Sequence, residues 1–297
     1  MDKMKIGYFA DGPWSHKAFK KIIADSELKI EFICVRFDTR DDTLKKYCSD
    51  YEIDYLMDKN INSKEFIEVI AQYNCDLFVS MSFNQIFKNT ILNMPRFKTI
   101  NCHAGKLPFY RGRNILNWAL INDEKEFGVT IHYMDDGIDT GDIILQKSFP
   151  ITDSDNYSTL LVRAYEGCAL LLYKSIKKIK AGTAKRILQR SIHPVGFYCS
   201  DRREGDENLS WNKSSRDIFN FIRSISLPGP QARTFLGENE VFINRAEYIP
   251  DAPNYKGIPG AVLKADKKGL IIKTKDSFIR VVEWSCKSKI KTGNRLK

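Results

Sequence analysis

The first hundred residues alternate between short apolar runs and amphipathic segments. The apolar runs have few polar positions, which predicts strands buried on both faces of a sheet. These strands lie at residues 4–10, 31–37, 76–82 and 98–104. The segments between them place apolar residues at helical spacing and predict helices: one capped by Ser15, one at 62–73 capped by Asn62 or Ser63, and a short one at 83–92. Strands alternating with helices predict an α/β, Rossmann-like domain with a mostly parallel sheet.

The pattern continues through a pair of strands and a long helix. Residues 114–122 are typical of a helix, and 128–134 alternate as a strand does. We expect that strand to pair with 142–151 across the turn DDGIDTG. A long helix follows at about 155–180, and Gly182 stands where a glycine commonly ends a helix.

The character of the chain changes after about residue 182. Helical signals become sparse, and residues 235–290 contain short apolar strands separated by Gly and Pro. That spacing predicts a small β-barrel or sandwich, preceded by a helix at SSRDIFNFIRSI. We place the boundary within 183–205, which gives an N-terminal domain at 1–190 and a β-rich domain at 191–297.

Composition narrows the class of protein. The formal net charge of +10 suits an anionic partner, although a solvated lysine-rich surface gives the same number. Seven Cys occur without a CxxC pair, which argues against a disulfide framework or a zinc ribbon. The chain begins without the apolar segment of a signal peptide, and its apolar runs are shorter than the roughly 18 residues of a membrane span. We expect a soluble cytoplasmic protein.

The strand at 98–104 ends in chemically active side chains. Ligands bind at the carboxyl ends of strands in open parallel sheets, and Asn101 and His103 stand at such an end. Side chains alternate along a strand, so these two point the same way. An amide N–H can stabilise an oxyanion, and an imidazole can move a proton near neutral pH. The alternative is a polar pair that only caps the strand.

The turn after the next strand is acidic. It carries Asp135, Asp136, Asp139 and Asp142. Asp and Gly are favoured in such turns for backbone reasons alone. The spacing does not match that of a calcium-binding loop, so we expect no metal here.

Taken in order, these motifs resemble those of the folate-dependent N-formyltransferases. The resemblance rests on NCHAGKLPFYRG, then NWAL, then GVTIHYMDDGIDTGDII and Gln146, and it covers residues 76–147. The family pattern is Asn-x-His, Leu-Pro-x-(Tyr/Trp)-Arg-Gly, Gly-Val-Thr and a loop ending in Asp-x-Gly. Two-domain members combine a Rossmann-like transfer domain with a C-terminal, OB-like β-barrel, as expected here. GDENLSW and SLPGP resemble the linker and the entry to that second domain.

The resemblance implies that Asn101, His103 and Asp139 are catalytic. A substrate amine would attack the formyl carbon of N10-formyltetrahydrofolate, and Asn101 with a protonated His103 would stabilise the resulting oxyanion. Asp139 would orient the imidazole and relay protons, while the identity of the general base stays open. The reaction requires no metal.

The resemblance also implies that two loops bind the folate. Their candidate residues are Met81, Ser82, Phe83, Ile86, Asp136 and Ile138. Phe83 and Ile86 could instead be core residues of the helix predicted after them.

The acceptor amine is the least determined part of the prediction. RGRN at 111–114 resembles the enzymes that formylate nucleotide-linked amino sugars, an activity of O-antigen biosynthesis, rather than the methionyl-tRNA enzymes with Arg-Gly-Ala-Ala-Pro. The stretch after the second strand is short and mixed in charge, which disfavours a nucleic-acid partner. Against this, residues 264–297 contain eleven Lys and Arg but three Asp and Glu, so tRNA stays the alternative.

We therefore prefer a dTDP-linked 4-amino- or 3-amino-dideoxyhexose as acceptor. Candidate contacts to it are Asp11, Trp14 and Arg111, although Arg111 could equally hold its loop and Trp14 could only pack. A non-catalytic folate- or nucleotide-binding protein is the alternative of another class. We expect no membrane partner, and the oligomeric state stays open, a homodimer included. His132 is interpreted as a core or strand-surface residue.

Overall fold

The structure, a computed structural model, describes residues 2–297, and it divides into two compact units. The first unit comprises residues 2–112, 127–149 and 163–198, and the second comprises 113–126, 150–162 and 199–297. In chain order the elements are β1 (Met4–Ala10), α1 (Gly12–Ile23), β2 (Leu28–Val35), α2 (Asp42–Tyr51), β3 (Asp54–Met57), α3 (Lys64–Ala71), β4 (Leu77–Met81), α4 (Asn89–Leu92), β5 (Thr99–His103), β6 (Arg111–Gly112), α5 (Ile115–Ile121), β7 (Glu126–Tyr133), β8 (Ile143–Pro150), α6 (Tyr157–Lys180), α7 (Gln189–Ile192), β9 (Tyr198–Cys199), α8 (Ser215–Ser224), β10 (Ala232–Leu236), β11 (Asn239–Glu247), β12 (Val262–Asp266), β13 (Gly269–Lys273) and β14 (Phe278–Cys286).

A seven-stranded sheet organises the first unit. Its order is β3-β2-β1-β4-β5-β7-β8. The pairings from β3 through β5 are all parallel, whereas β7 runs antiparallel to β5. The expected mostly parallel, Rossmann-like sheet is confirmed. Phe9, Phe32 and Phe78 form part of the buried cluster on one face, with ring centroids 5.4–5.9 Å apart.

Two local predictions in this unit are wrong. Helix α1 begins at Gly12 with Asp11 at its N-cap and Pro13 in its first turn, so Ser15 lies inside the helix, where its Oγ donates to the Gly12 carbonyl. Pro13 explains the earlier start, because its fixed φ suits the first helical turn. Ser63 does cap α3, as predicted, by accepting from the Phe66 amide.

The second wrong prediction is a helix over residues 83–92. Only Asn89–Leu92 is helical. The reason is that the Gln85 side chain accepts from the Ile61 amide and donates to the Asp58 carbonyl, which holds this segment in a loop against its neighbour. The sequence does not predict helix α2 or strand β3. In α2 only Leu44 and Cys48 are buried among mostly charged and polar residues, and β3 has four residues, none of them buried.

A five-stranded antiparallel sheet organises the second unit. Its order is β10-β11-β14-β13-β12. Residues 293–297 bond to both edge strands: Lys297 exchanges two backbone hydrogen bonds with Phe235 of β10, and Val262 of β12 donates to Asn294 and accepts from Gly293. This segment connects the two edges, as a barrel requires. Ile218, Ile222 and Ile225, in α8 and just after it, belong to the buried core of this unit.

No helix within residues 2–297 combines the length and the apolar character needed to cross a bilayer.

Candidate active site

The carboxyl end of β5 is the centre of the candidate site. In the β5–β7 pairing Asn101 stands opposite His132, and His103 stands opposite Thr130. Directly opposite residues of neighbouring strands share a face of the sheet. The pairing therefore brings a second histidine beside Asn101 and His103, and all four residues lie in the first unit.

Asp139 approaches this strand end from the turn between β7 and β8. Its backbone has φ +56°, in the left-handed region that Asp tolerates better than most residues. One carboxylate oxygen, Oδ2, accepts from the Gly112 amide at 2.9 Å and lies 3.5 Å from His103 Nδ1. The other oxygen, Oδ1, lies 3.4 Å from Asn101 Nδ2 and 3.4 Å from His132 Nε2. The carboxylate thus lies within hydrogen-bond or ion-pair distance of all four partners.

His103 is held by contacts at both ring nitrogens. Nε2 lies 2.6 Å from the Tyr110 carbonyl oxygen, which can only accept, so Nε2 carries a proton. Nδ1 faces the Asp139 carboxylate, which also only accepts when ionised. A doubly protonated imidazole would donate in both directions, to the Tyr110 carbonyl and to the Asp139 carboxylate.

The contacts of His132 place a proton on one nitrogen of its ring and leave the other nitrogen facing Asn101. His132 Nδ1 lies 2.8 Å from the Tyr133 carbonyl oxygen, so Nδ1 bears the proton. Nε2 is then free to accept from Asn101 Nδ2 at 3.3 Å. Both contacts of the Asn101 amide group, to His132 and to Asp139, are long. A substrate oxygen could therefore replace one of them at little energetic cost.

The electrostatics of the cluster keep Asp139 ionised. Burial disfavours the charged carboxylate, but the charge of His103 and the hydrogen bond from the Gly112 amide outweigh burial and hold the pKa of Asp139 well below its usual range. Asp139 is therefore an anion at any physiological pH. It can stabilise a proton on His103, but it is too weak a base to hold a proton itself.

Comparison with known proteins identifies the family of the chain. The family model described as formyl transferase matches residues 37–171, and the model of the formyl transferase C-terminal domain matches 203–294. A methionyl-tRNA formyltransferase of Staphylococcus aureus is 32% identical over 234 residues, which cover 79% of this chain and 74% of that protein. The chain belongs to the formyltransferase family.

Solved structures of other formyltransferases have the same fold. WlaRD, a sugar 3N-formyltransferase crystallised with dTDP and 5-N-formyl-THF, superposes with a TM-score of 0.73 at 22% identity, over 98% of this chain and 100% of that chain. A 4-N formyltransferase from Francisella tularensis gives a TM-score of 0.66 at 25% identity, over 81% of this chain and 96% of that chain. These structures extend the likeness to both units of this formyltransferase.

The other carboxylates of the acidic turn are not part of the cluster. Asp135 accepts from the Thr140 hydroxyl at 2.5 Å and from the Gly137 amide at 3.2 Å, so it shapes the turn. Asp136 is exposed. Among the described residues no group of three or more His, Cys, Asp or Glu has the arrangement of a metal site.

The predicted folate-contacting residues occupy two kinds of position. Met81 is buried at the end of β4, so its side chain is not exposed to a ligand. The partly buried Phe83 packs its ring against Phe9. Ile86 and Ile138 are exposed by 65% and 56%. Exposed isoleucines on two loops of this kind are suited to an apolar ligand surface. Ser82, half-buried with φ +61°, and the exposed Asp136 complete the set.

The predicted acceptor-contacting residues make contacts within the protein. Asp11 accepts from the Thr39 hydroxyl at 2.7 Å, and the ring of Trp14 packs edge-on against Tyr165 with centroids 4.5 Å apart. Both residues stay half-buried, so part of each side chain is accessible. Arg111 is buried, and its guanidinium donates to Gln189 and to the Val195 carbonyl. This position favours the loop-holding role over the ligand-contacting one.

Sequence reasoning missed His132. The signal was present, since the alternation of GVTIHYM places Thr130 and His132 on one face of the strand. Only the pairing register shows that this face is the one that carries Asn101. The sequence does not state the register of a strand pair, and so His132 was interpreted as an ordinary strand residue.

Proposed function

We propose that this formyltransferase moves the formyl group of N10-formyltetrahydrofolate to the amino group of a nucleotide-linked amino-deoxy sugar. The acceptor is a dTDP-linked 4-amino-4,6-dideoxyhexose or its 3-amino analogue. The observation that supports formyl transfer is that Asn101 Nδ2 and His103 Nδ1 each lie within 3.5 Å of an oxygen of the Asp139 carboxylate. An amide donor, an imidazolium and a buried anion are the groups that acyl transfer to an amine requires.

The reaction makes one C–N bond and breaks another. The acceptor nitrogen bonds to the formyl carbon and loses a proton, and N10 of the folate leaves and gains a proton. Negative charge develops on the formyl oxygen. Asn101 Nδ2 and the Nδ1–H of the cationic His103, whose contacts with Asp139 are long enough to be exchanged, are the donors that would stabilise it. Preorganised donors act most strongly where charge develops.

Asp139 supports this chemistry electrostatically. The Gly112 amide and the charge of His103 hold its carboxylate as an anion. That anion stabilises the imidazolium which donates to the oxyanion and to the leaving nitrogen. Since Asp139 stays ionised, the proton of the acceptor amine goes to His103 once it has donated its own, or to solvent.

Two observations support the donor and the acceptor. WlaRD, which shares the fold over nearly the whole chain, was crystallised with a formylated folate, and exposed Ile86 and Ile138 offer apolar surface to such a ligand. For the acceptor, the RGRN motif at 111–114 resembles the sugar-nucleotide enzymes. WlaRD is a sugar 3N-formyltransferase by its description, and the Francisella protein is a 4-N formyltransferase.

The test is a panel of acceptors with N10-formyltetrahydrofolate as donor. Release of tetrahydrofolate and the mass of a formylated product are measured with dTDP- and UDP-linked 3-amino and 4-amino sugars. We expect turnover on one of them, and loss of it in His103→Ala. Turnover that persists undiminished in His103→Ala would reject the assigned chemistry, and no turnover on any amine with retained folate binding would favour a binding protein.

Methionyl initiator tRNA is the second candidate acceptor. It is favoured by the 32% identity to the Staphylococcus aureus enzyme and by Lys287, Lys289 and Lys291, three exposed lysines at alternate positions after β14. Three exposed lysines within five residues give a local positive charge suited to a phosphate backbone. The same assay with charged initiator tRNA decides the question. Formylation that falls when the three lysines are changed to Ala would replace the sugar proposal, and no formylation beside sugar turnover would remove this candidate.

A further inference from the structure

The side chain of Gln189, at the start of α7, is connected to the loop that presents Asp139. It is buried, with 4% of its surface exposed. Its amide nitrogen donates to the Asp139 carbonyl at 2.7 Å and to the Gly141 carbonyl at 2.8 Å. Its amide oxygen accepts from Arg111 Nε at 3.1 Å and Nη2 at 2.7 Å. Each donor and acceptor of this amide therefore has a partner within the protein.

Arg111 connects Gln189 to the other side of Asp139. Besides its two bonds to Gln189, its Nη1 donates to the Val195 carbonyl at 3.1 Å. The next residue, Gly112, donates its amide to the Asp139 carboxylate at 2.9 Å. Gln189 thus fixes the backbone of Asp139 directly, and through Arg111 it fixes the amide that holds the carboxylate.

We propose that Gln189 is a positioning residue that holds the Asp139 carboxylate against His103 by binding the loops on both of its sides. This inference rests on the proposed role of Asp139 in formyl transfer and extends it to a residue outside the family motifs quoted above.

The backbone conformation of Asp139 explains why its loop needs to be held in place. Asp139 adopts φ +56°, a backbone conformation that costs free energy in a residue other than glycine and that persists where contacts hold it. The left-handed backbone directs the carboxylate towards Gly112 and His103. Two donors from one rigid amide, placed on the carbonyls of Asp139 and Gly141, restrain the peptide groups that follow these two residues. A displacement of about 1 Å at this carboxylate would weaken the contact with His103 and slow the reaction.

The first variant is Gln189→Glu, which keeps the shape and the oxygen that faces Arg111 but replaces the donor of both carbonyl bonds. We expect kcat for formyl transfer to fall about 10- to 100-fold while KM for donor and acceptor changes less than about threefold. Arg190→Gln, at the exposed neighbouring position, is the matched control. Gln189→Met, which retains the volume, serves as the second variant should the glutamate disturb folding.

A double-mutant cycle with Asp139→Asn separates positioning from a general effect on folding. If Gln189 acts through the charge of Asp139, the double variant loses no more kcat than Asp139→Asn alone, because the two residues act as one unit. Losses that multiply would overturn the proposal.

A readout without turnover keeps this test distinct from that of the proposed function. In NMR spectra of the free protein, we expect Gln189→Glu to shift the Gly112 amide resonance and to raise its exchange with solvent, whereas Arg190→Gln does neither. An unchanged Gly112 amide would refute the role of Gln189, even if the wild-type protein transferred formyl groups. A wild-type protein without turnover but with the expected Gly112 change would reject the proposed function and retain the positioning role.

Discussion

His103 Nδ1 and Asp139 Oδ2 face each other across 3.5 Å, although they come from a strand end and from a separate turn. This distance is within the range of an ion pair but longer than a strong hydrogen bond, and both side chains are about nine-tenths buried. In such surroundings an ion pair interacts more strongly than on the surface, but either charge alone is costly. The two residues should therefore be considered as one unit, whose properties the following predictions address.

Replacing Asp139 by Asn should destabilise the protein in a pH-dependent manner. The pKa of Asp139 in the folded state lies well below its value in the unfolded chain, so its charge stabilises the fold above the unfolded value near 4. That contribution is lost as the pH falls below about 4 towards the folded pKa. We expect a loss of about 2 kcal/mol in the free energy of unfolding at pH 7, measured by urea denaturation.

The matched control for that experiment is Asp136→Asn, which removes an exposed carboxylate from the same turn. It should change the free energy of unfolding by less than about 0.5 kcal/mol at both pH 7 and pH 3. The difference in the free energy of unfolding between wild type and Asp139→Asn should become smaller when the measurements are extended from pH 7 to pH 3. A difference that stays constant over this range would mean that the charge of Asp139 is not what stabilises the fold.

Asn101→Ala should reduce kcat far more than KM. The variant removes the only uncharged side-chain donor of the proposed set, and loss of one oxyanion donor in acyl transfer typically lowers kcat about 100- to 1000-fold. Steady-state kinetics on the acceptor found in the panel give both constants. A rise in KM with kcat retained would show that Asn101 binds the substrate without stabilising the transition state.

The sequence predicted the layers of the fold because its strands are continuous apolar runs and its motifs are local. It also placed Asn101, His103 and Asp139 together, through the resemblance of those motifs to a family. It could not show His132 or Gln189, since each reaches the site through a long-range contact: one through the register of β5 and β7, the other from α7. Nor did it show α2, where only Leu44 and Cys48 mark the buried face.

Gly105→Ala should damage the site through the orientation of His103. A Cβ at this position would lie 2.4 Å from His103 Nε2 and 2.5 Å from the Tyr110 carbonyl oxygen, the two atoms of the bond that fixes the imidazole. Either the ring or the loop must move, so we expect a loss of about 1–3 kcal/mol in stability and a marked fall in kcat.

Gly182→Ala is the control for that substitution. It strains a left-handed backbone with φ +67° but has no heavy atom near its new Cβ, so it should lower stability by about 1 kcal/mol and leave kcat close to wild type. The ¹⁵N resonances of the His103 ring, followed in both variants, report the orientation directly. If Gly105→Ala left those resonances and kcat unchanged, the loop would accommodate the added Cβ without moving the His103 ring, and the prediction would be wrong.

His132 should act on the reaction by orienting the Asn101 amide. Its Nε2 accepts from Asn101 and its Nδ1 is bound to the Tyr133 carbonyl, so the ring presents an acceptor at a fixed place. His132→Phe removes that acceptor from a residue that is 2% exposed, and we expect kcat to fall about tenfold. His132→Gln can present an amide oxygen instead and should recover part of the loss.

Combined with Asn101→Ala, His132→Phe should have little further effect on kcat, because the side chain that His132 orients is gone. A full additional loss in the double variant would mean that His132 acts on the Asp139 carboxylate, which lies 3.4 Å from the same nitrogen, rather than on Asn101.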